Sequence, residues 1–112
     1  MELRVENERG VTVLTLPGEH LDAANAEDFK KSVAPMLDQS NHVAMDLSNL
    51  KFVDSSGLGA LLSCLRKLKS KGGDLKLFNM TKQVRQLFEL VRMHRIMDVL
   101  VDREAVLNAF GK

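Results

Sequence analysis

Two adjacent serines, Ser55 and Ser56, offer hydroxyl groups that could accept a phosphoryl group or cap a helix. They precede a predicted helix, and the unpaired amides and positive dipole at a helix start favour an anion. Gly57 and Gly59 remove side chains from the same turn, so a partner could approach the backbone there. Local chemistry alone favours a plainer role, in which a serine caps the helix, Asp54 is a turn residue and the glycines allow tight packing.

Other chemistries find little support in the residue pattern. The three histidines are scattered along the chain, so their spacing does not suggest a metal site. The sequence contains neither a phosphate-binding loop nor a kinase signature set, and it lacks the Gly-x-Ser-x-Gly elbow of serine hydrolases. We therefore expect no metal, no cofactor and no enzymatic activity.

The composition indicates one globular domain with little net charge. The 112 residues carry a formal net charge of +1, with 45% hydrophobic and 28% charged residues. A chain of this length and balance is expected to fold as a single domain over residues 1–112, as a monomer. A charge this close to zero gives no uniform basic field, so direct nucleic-acid binding is not expected.

Cysteine content and hydropathy indicate a cytoplasmic protein. Cys64 is the only cysteine, which excludes an internal disulfide and fits a reducing compartment. The charged N-terminal residues do not resemble a signal peptide, and no run of about 18 apolar residues occurs. We therefore expect no membrane insertion, and we expect Cys64 to be a small apolar filler of the core.

Hydrophobic periodicity predicts the element order ββαβαβαβα. The clearest helix begins near Ser56 and carries a stripe of leucines at helical spacing, namely Leu58, Leu61, Leu62, Leu65 and Leu68. Strand–helix–strand units cross over right-handed and form parallel sheets, so we predict an α/β fold with one mixed, mostly parallel sheet of about five strands and four helices. The first strand should form an antiparallel edge. The serines then follow a buried strand at its carboxyl end, where open α/β sheets usually place their sites.

The strand at Val43–Leu47 and the segment Phe52–Gly59 resemble the hallmark of STAS domains of the bacterial anti-sigma factor antagonist family. The resemblance extends over nearly the whole chain and includes further short pieces in the family's order: Gly18–Glu19, Leu21–Asp22, Gly72–Leu75, Val84–Phe88 and Glu104–Ala105. It implies a STAS fold and a regulatory protein.

The resemblance also implies a phosphorylation switch at Ser55, with Ser56 as the alternative acceptor. In the family, the modifying enzyme is an anti-sigma factor that is also a serine kinase and brings the ATP. The unphosphorylated antagonist binds this kinase and releases the sequestered sigma factor. Phosphorylation abolishes binding, and a PP2C-type phosphatase restores it. Two alternatives stay open: an unmodified STAS subunit of a transporter or larger signalling assembly, and a switch acting on a target other than a sigma factor.

By the same resemblance, the partner surface surrounds the acceptor and consists of Asp22, Asp54, Ser56, Gly57, Leu58 and Gly59, with the two glycines as bare surface. Two positions depart from the family pattern. His20 is an extra residue before Leu21–Asp22. Arg92 stands where a glycine commonly ends the third helix, so we expect the chain to turn there without the usual left-handed cap.

Overall fold

Seven strands occur in the computed structural model, which describes residues 1–111. In chain order they are β1 (Arg4–Glu8), β2 (Val11–Thr15), β3 (His20–Leu21), β4 (His42–Asp46), β5 (Phe52–Val53), β6 (Asp74–Phe78) and β7 (Asp98–Leu100). Five of them form the main sheet in the order β1-β2-β4-β6-β7, while β3 and β5 pair separately. In the main sheet β1 runs antiparallel to β2 and every other pair is parallel, which confirms the predicted mixed sheet and its antiparallel edge.

Residues 1–111 also form four helices: α1 (Ala26–Gln39), α2 (Ser55–Ser70) and α3 (Lys82–Leu90) lie between strands, and α4 (Arg103–Ala109) follows β7. A 3-10 turn, Met93–Arg95, lies between α3 and β7. The predicted order ββαβαβαβα is confirmed for the five strands of the main sheet and the four helices. No helix within residues 1–111 is both long and apolar enough to cross a bilayer.

The helices cover both faces of the main sheet because successive apolar side chains of its central strands point to opposite faces, and both sets are buried. The larger core packs β2, β4 and β6 against α1, α2 and α3. The opposite face is smaller and is covered by α4, where Val106 and Leu107 pack against Val11, Val13 and Phe78. The leucine stripe of α2 faces the larger core as predicted.

Cys64 lies in the larger core, as the sequence suggested. It is buried on the inner side of α2. Burial raises the pKa of its thiol to about 12, so at neutral pH the side chain is an uncharged apolar group.

Two local predictions were incomplete or wrong. The pair β3–β5 was not predicted, because two residues are too few to show a strand period. The expectation that Arg92 would avoid a left-handed turn was wrong, since its φ is 63° and its ψ is 26°. An arginine therefore occupies the backbone conformation that usually calls for glycine.

Candidate functional site

The small β3–β5 pair places the serines beside the loop that precedes α1. Its two strands are parallel, with Leu21 opposite Val53. The backbone amides of Lys51 and Phe52 both donate to the carbonyl of Glu19, at 2.7 and 3.1 Å. As a result the chain enters α2 next to the segment that leaves β3.

Asp54 joins these two segments through its carboxylate. Its Oδ1 accepts a hydrogen bond from the amide of Gly57 at 3.0 Å, and its Oδ2 accepts one from the amide of Ala23 at 3.2 Å. The first bond caps α2, so the N-cap is Asp54 and not a serine. The hydrogen bond from Gly57, with that from Ala23, holds the pKa of Asp54 below its ordinary value, because both bonds favour the charged form.

Ser55 and Ser56 are the first two residues of α2, and both are exposed. Within residues 1–111, neither hydroxyl makes a hydrogen bond to another side chain or to the backbone. An exposed serine whose hydroxyl makes no hydrogen bond can be modified without breaking an existing contact. Exposure and hydrogen bonding are therefore the same for the two hydroxyls and do not favour either serine as the acceptor.

The two glycines of the turn have different surroundings. A Cβ on Gly57 would lie 2.0 Å from the carbonyl oxygen of Leu21 and 3.0 Å from Cγ1 of Val53. Gly57 is therefore buried where α2 crosses β3, and the prediction that it is bare surface was wrong. Gly59 is exposed, and a Cβ there would meet nothing within 4 Å. Leu58, between them, is half-buried and packs against the larger core.

Asp22 lies in the loop that Asp54 reaches. Its Oδ1 accepts a hydrogen bond from the amide of Ala24 at 3.0 Å, and its Oδ2 lies 3.0 Å from Nδ1 of His20. The extra residue, His20, is accommodated in β3 opposite Phe52. Asp22 and Asp54 thus belong to one local surface, because their carboxylates accept hydrogen bonds from the neighbouring backbone amides of Ala24 and Ala23.

Phe52 is a member of this surface that sequence reasoning missed. Its side chain is 55% exposed, although it is large and apolar, and it lies in β5 just before Asp54. Exposed aromatic side chains commonly anchor protein interfaces. The available sequence signal was weak: in Phe52-Val53, only one of two neighbouring apolar side chains of a strand can face the core.

The arrangement brings two exposed serine hydroxyls next to the carboxylate of Asp54 and the exposed side chain of Phe52. Neither serine hydroxyl is hydrogen-bonded to a side chain that could serve as a base within residues 1–111. In the same part of the chain, no group of three or more His, Cys, Asp or Glu side chains is arranged to hold a metal ion.

The sequence is similar to a known domain family and to curated proteins. The family model described as the STAS domain matches residues 2–105. An anti-sigma F factor antagonist of Paenibacillus polymyxa is 29% identical over 101 residues, which cover 88% of this chain and 86% of that protein.

Solved structures share the fold at lower identity. The Bacillus cell fate determinant SpoIIAA in its phosphorylated form is 24% identical, with a TM-score of 0.68 over 96% of this chain and 99% of that one. The murine solute carrier 26 family member A9 anion transporter is 23% identical, with a TM-score of 0.80 over 96% of this chain but only 19% of the transporter chain. These likenesses confirm the α/β fold.

Proposed function

The chain belongs to the STAS domain family, in its anti-sigma factor antagonist group, and we propose that it works as a phosphorylation-controlled partner switch. Unphosphorylated, it binds a cognate anti-sigma factor that is also a serine kinase, which brings the ATP, and the sequestered sigma factor is released. Phosphorylation on Ser55 abolishes this binding, and a PP2C-type phosphatase restores it. The observation that carries the proposal is the exposed Ser55 at the first turn of α2, directly after the fixed carboxylate of Asp54.

The fold should tolerate a phosphate at this place. A phosphoryl group adds about −1.5 to −2 charges, and the N-terminus of a helix is a favourable position for an anion. Ser55 is exposed, so no packed side chain has to move. The phosphorylated form of the Bacillus fold relative is a precedent for such a modification on this architecture.

The same phosphate should prevent a close-fitting partner from binding. It would lie beside the charged carboxylate of Asp54, and a partner covering Ser55 would have to remove water from the new dianion. Burying an unpaired phosphate costs on the order of several kcal/mol, which is enough to switch a typical protein interface from bound to free.

The proposed contact surface consists of Asp22, Asp54, Ser56, Leu58 and Gly59, with Phe52 added from the structure. Phe52, Ser56 and Gly59 are its exposed members, with Gly59 as open backbone and Phe52 as an apolar anchor. Gly57 is excluded as a contact because it is buried against β3.

We place the switch in the cytoplasm, as a single domain over residues 1–112 that acts as a monomer, without cofactor, direct nucleic-acid binding, membrane insertion or enzymatic activity. Within residues 1–111 the Ser55 hydroxyl has no hydrogen bond to a base, and both oxygens of the adjacent Asp54 carboxylate accept backbone hydrogen bonds; this supports a substrate rather than an enzyme, since a serine nucleophile needs an activating partner. The antagonist name of the Paenibacillus relative supports the regulatory role.

The test is phosphorylation of the purified protein by its cognate kinase with ATP, followed by mapping of the site by mass spectrometry. Ser55→Ala should lose the label, whereas Ser56→Ala, a matched change one residue away, should keep it. In a pull-down with the kinase, Ser55→Asp should bind at least about tenfold more weakly than wild type, since one or two kcal/mol of repulsion suffices. A label that persists in Ser55→Ala overturns the assignment.

The same experiment separates the alternatives. Likeness to a transporter domain at 23% identity concerns the fold alone. If the kinase neither binds nor labels the protein, an unmodified subunit role is favoured. If the kinase binds but no sigma factor is released, the switch acts on another target.

A further inference from the structure

We propose that a groove between α1 and α2 binds a small carboxylate whose apolar body is about the size of a benzene ring. The groove has a volume of about 160 Å³. Its floor includes Val33, Leu37 and Cys64, and its rim carries Lys30 and Lys67. This site is separate from the serine surface, and the inference does not rest on the proposed function.

The groove exists because small side chains face each other where the helices pack. Ala34 on α1 and Cys64 on α2 both line it, and neither is large enough to close the space between the helices. Val33, Leu37 and Cys64 are buried, so the floor is apolar. The volume is of the same order as the roughly 150 Å³ of an engineered closed cavity that holds benzene, but this groove is partly open to solvent and Ser63 also lines it.

Two ammonium groups give the groove its preference for an anion. Lys30 and Lys67 both line the groove, so two positive charges lie at its edge. In agreement, both charges act to lower the pKa of the Cys64 thiol, against the larger effect of burial, which raises it. Each lysine has one carboxylate partner, Glu27 at 3.0 Å and Asp38 at 2.9 Å. These carboxylates are largely exposed, and exposed ion pairs are weak, so a carboxylate held by the apolar floor can compete for the ammonium groups.

Distance keeps this site apart from the phosphorylation site. Cys64 and Lys67 follow Ser55 by nine and twelve residues in α2, which corresponds to about 13–18 Å along the helix axis. Binding in the groove can therefore be measured with unmodified protein and no kinase. A failure of the kinase experiment would leave this measurement unaffected.

The experiment is a titration of the isotopically labelled full chain, followed by backbone amide NMR. The ligands are benzoate, benzyl alcohol and benzylamine, which share one ring but carry negative, zero and positive charge. Benzoate should shift the amides of the groove segments of α1 and α2 saturably, with a Kd on the order of 1 mM for so small a ligand. Benzyl alcohol should bind about fivefold more weakly, because it lacks the charge that the two lysines recognise, and benzylamine should give no saturable shift.

Three variants locate the site. The double variant Lys30→Met, Lys67→Met keeps the apolar stems and should reduce benzoate binding to the level of benzyl alcohol. Lys31→Met removes a neighbouring exposed lysine that does not line the groove and should leave binding unchanged. Ala34→Leu should fill the groove and abolish binding; if it fails to fold, the lysine variants decide alone.

Several results would overturn the proposal. These are the absence of saturable benzoate shifts, equal binding of benzylamine, and undiminished benzoate binding in the double lysine variant. Groove amides that shift on dilution of the protein without ligand would indicate that a second copy of the chain occupies the groove, which also contradicts the proposal.

Discussion

Replacing Gly57 by alanine should destabilise the protein, whereas the same replacement at Gly59 should stabilise it. Both glycines lie in the first turns of α2, two residues apart. The difference comes from what a Cβ would meet. At Gly57 it would lie 2.0 Å from the carbonyl oxygen and 2.8 Å from the carbonyl carbon of Leu21, while at Gly59 it would meet nothing within 4 Å.

The magnitudes follow from two opposing effects. In a helix, an alanine is favoured over glycine by up to about 1 kcal/mol, and Gly59→Ala should receive that gain undiminished. At Gly57 the obstacle is β3 backbone, which cannot rotate away as a side chain can, so the start of α2 must move by about 1 Å. Overpacking of this kind costs about 1–3 kcal/mol. Both variants receive the helix gain, so their free energies of unfolding should differ by the overpacking cost alone. For a backbone contact of 2.0 Å we expect the upper part of that range, about 2–3 kcal/mol, with wild type between the two variants.

Urea unfolding monitored by circular dichroism measures this difference directly, and thermal unfolding gives a second measure. For a domain of this size, about 1 kcal/mol corresponds to a change in Tm of roughly 4–8 °C. An unfolding midpoint of Gly57→Ala at or above that of wild type would refute the reasoning. It would show that the α2–β3 crossing is loose enough to accept a methyl group.

Three further predictions concern other parts of the chain. Arg92→Gly should raise the free energy of unfolding by up to about 1 kcal/mol in urea titrations, because relief of the left-handed strain exceeds the added freedom of the unfolded chain. Burial raises the pKa of Asp74, but hydrogen bonds from Lys76 and the amide of Leu75 together hold it below its ordinary 3.8. The stability that this carboxylate contributes is therefore present above pH 3.8 and is lost as the pH falls through the lower folded-state pKa. In urea titrations, the difference in free energy of unfolding between wild type and Asp74→Asn should shrink over that acid range. A difference that stays constant with pH would contradict this. Cys64, with a thiol pKa of about 12, should react with iodoacetamide at pH 8 only on unfolding, so rapid labelling of the native protein, followed by mass spectrometry, would count against its burial.

The main elements could be predicted because each buries a long, regular stripe. The leucines of α2 repeat at helical spacing over more than two turns, and β4 is a short apolar run with no room for a helix. The pair β3–β5 has only two residues in each strand, and its partners lie about thirty positions apart in the chain. No local period signals such a contact, so neither the bond from Ala23 to Asp54 nor the burial of Gly57 could be read from the sequence.

The error at Arg92 shows a limit of rules about single residues. The left-handed conformation costs a residue with a side chain about 1–2 kcal/mol. Burial of a large apolar side chain contributes about 1.5–3 kcal/mol, and the turn at Arg92 has such a side chain on either side. Phe88 and Met93 are both buried, so tertiary packing outweighs the local preference. A prediction made from the turn residue alone omits the free energy of burying the neighbouring side chains, which is larger than the cost of the left-handed conformation.

The contacts of Asp54 bear on how the switch would distinguish its two states. Both carboxylate oxygens accept backbone hydrogen bonds, one within α2 and one from the loop before α1. These bonds lower the pKa of Asp54, so the group stays charged throughout the neutral range. A phosphate on Ser55 would therefore always be added to an existing, immobile negative charge. The side chain cannot turn away from the phosphate without releasing the cap of α2 and the β3 loop, so the repulsion would fall on the approaching partner while the fold stays intact.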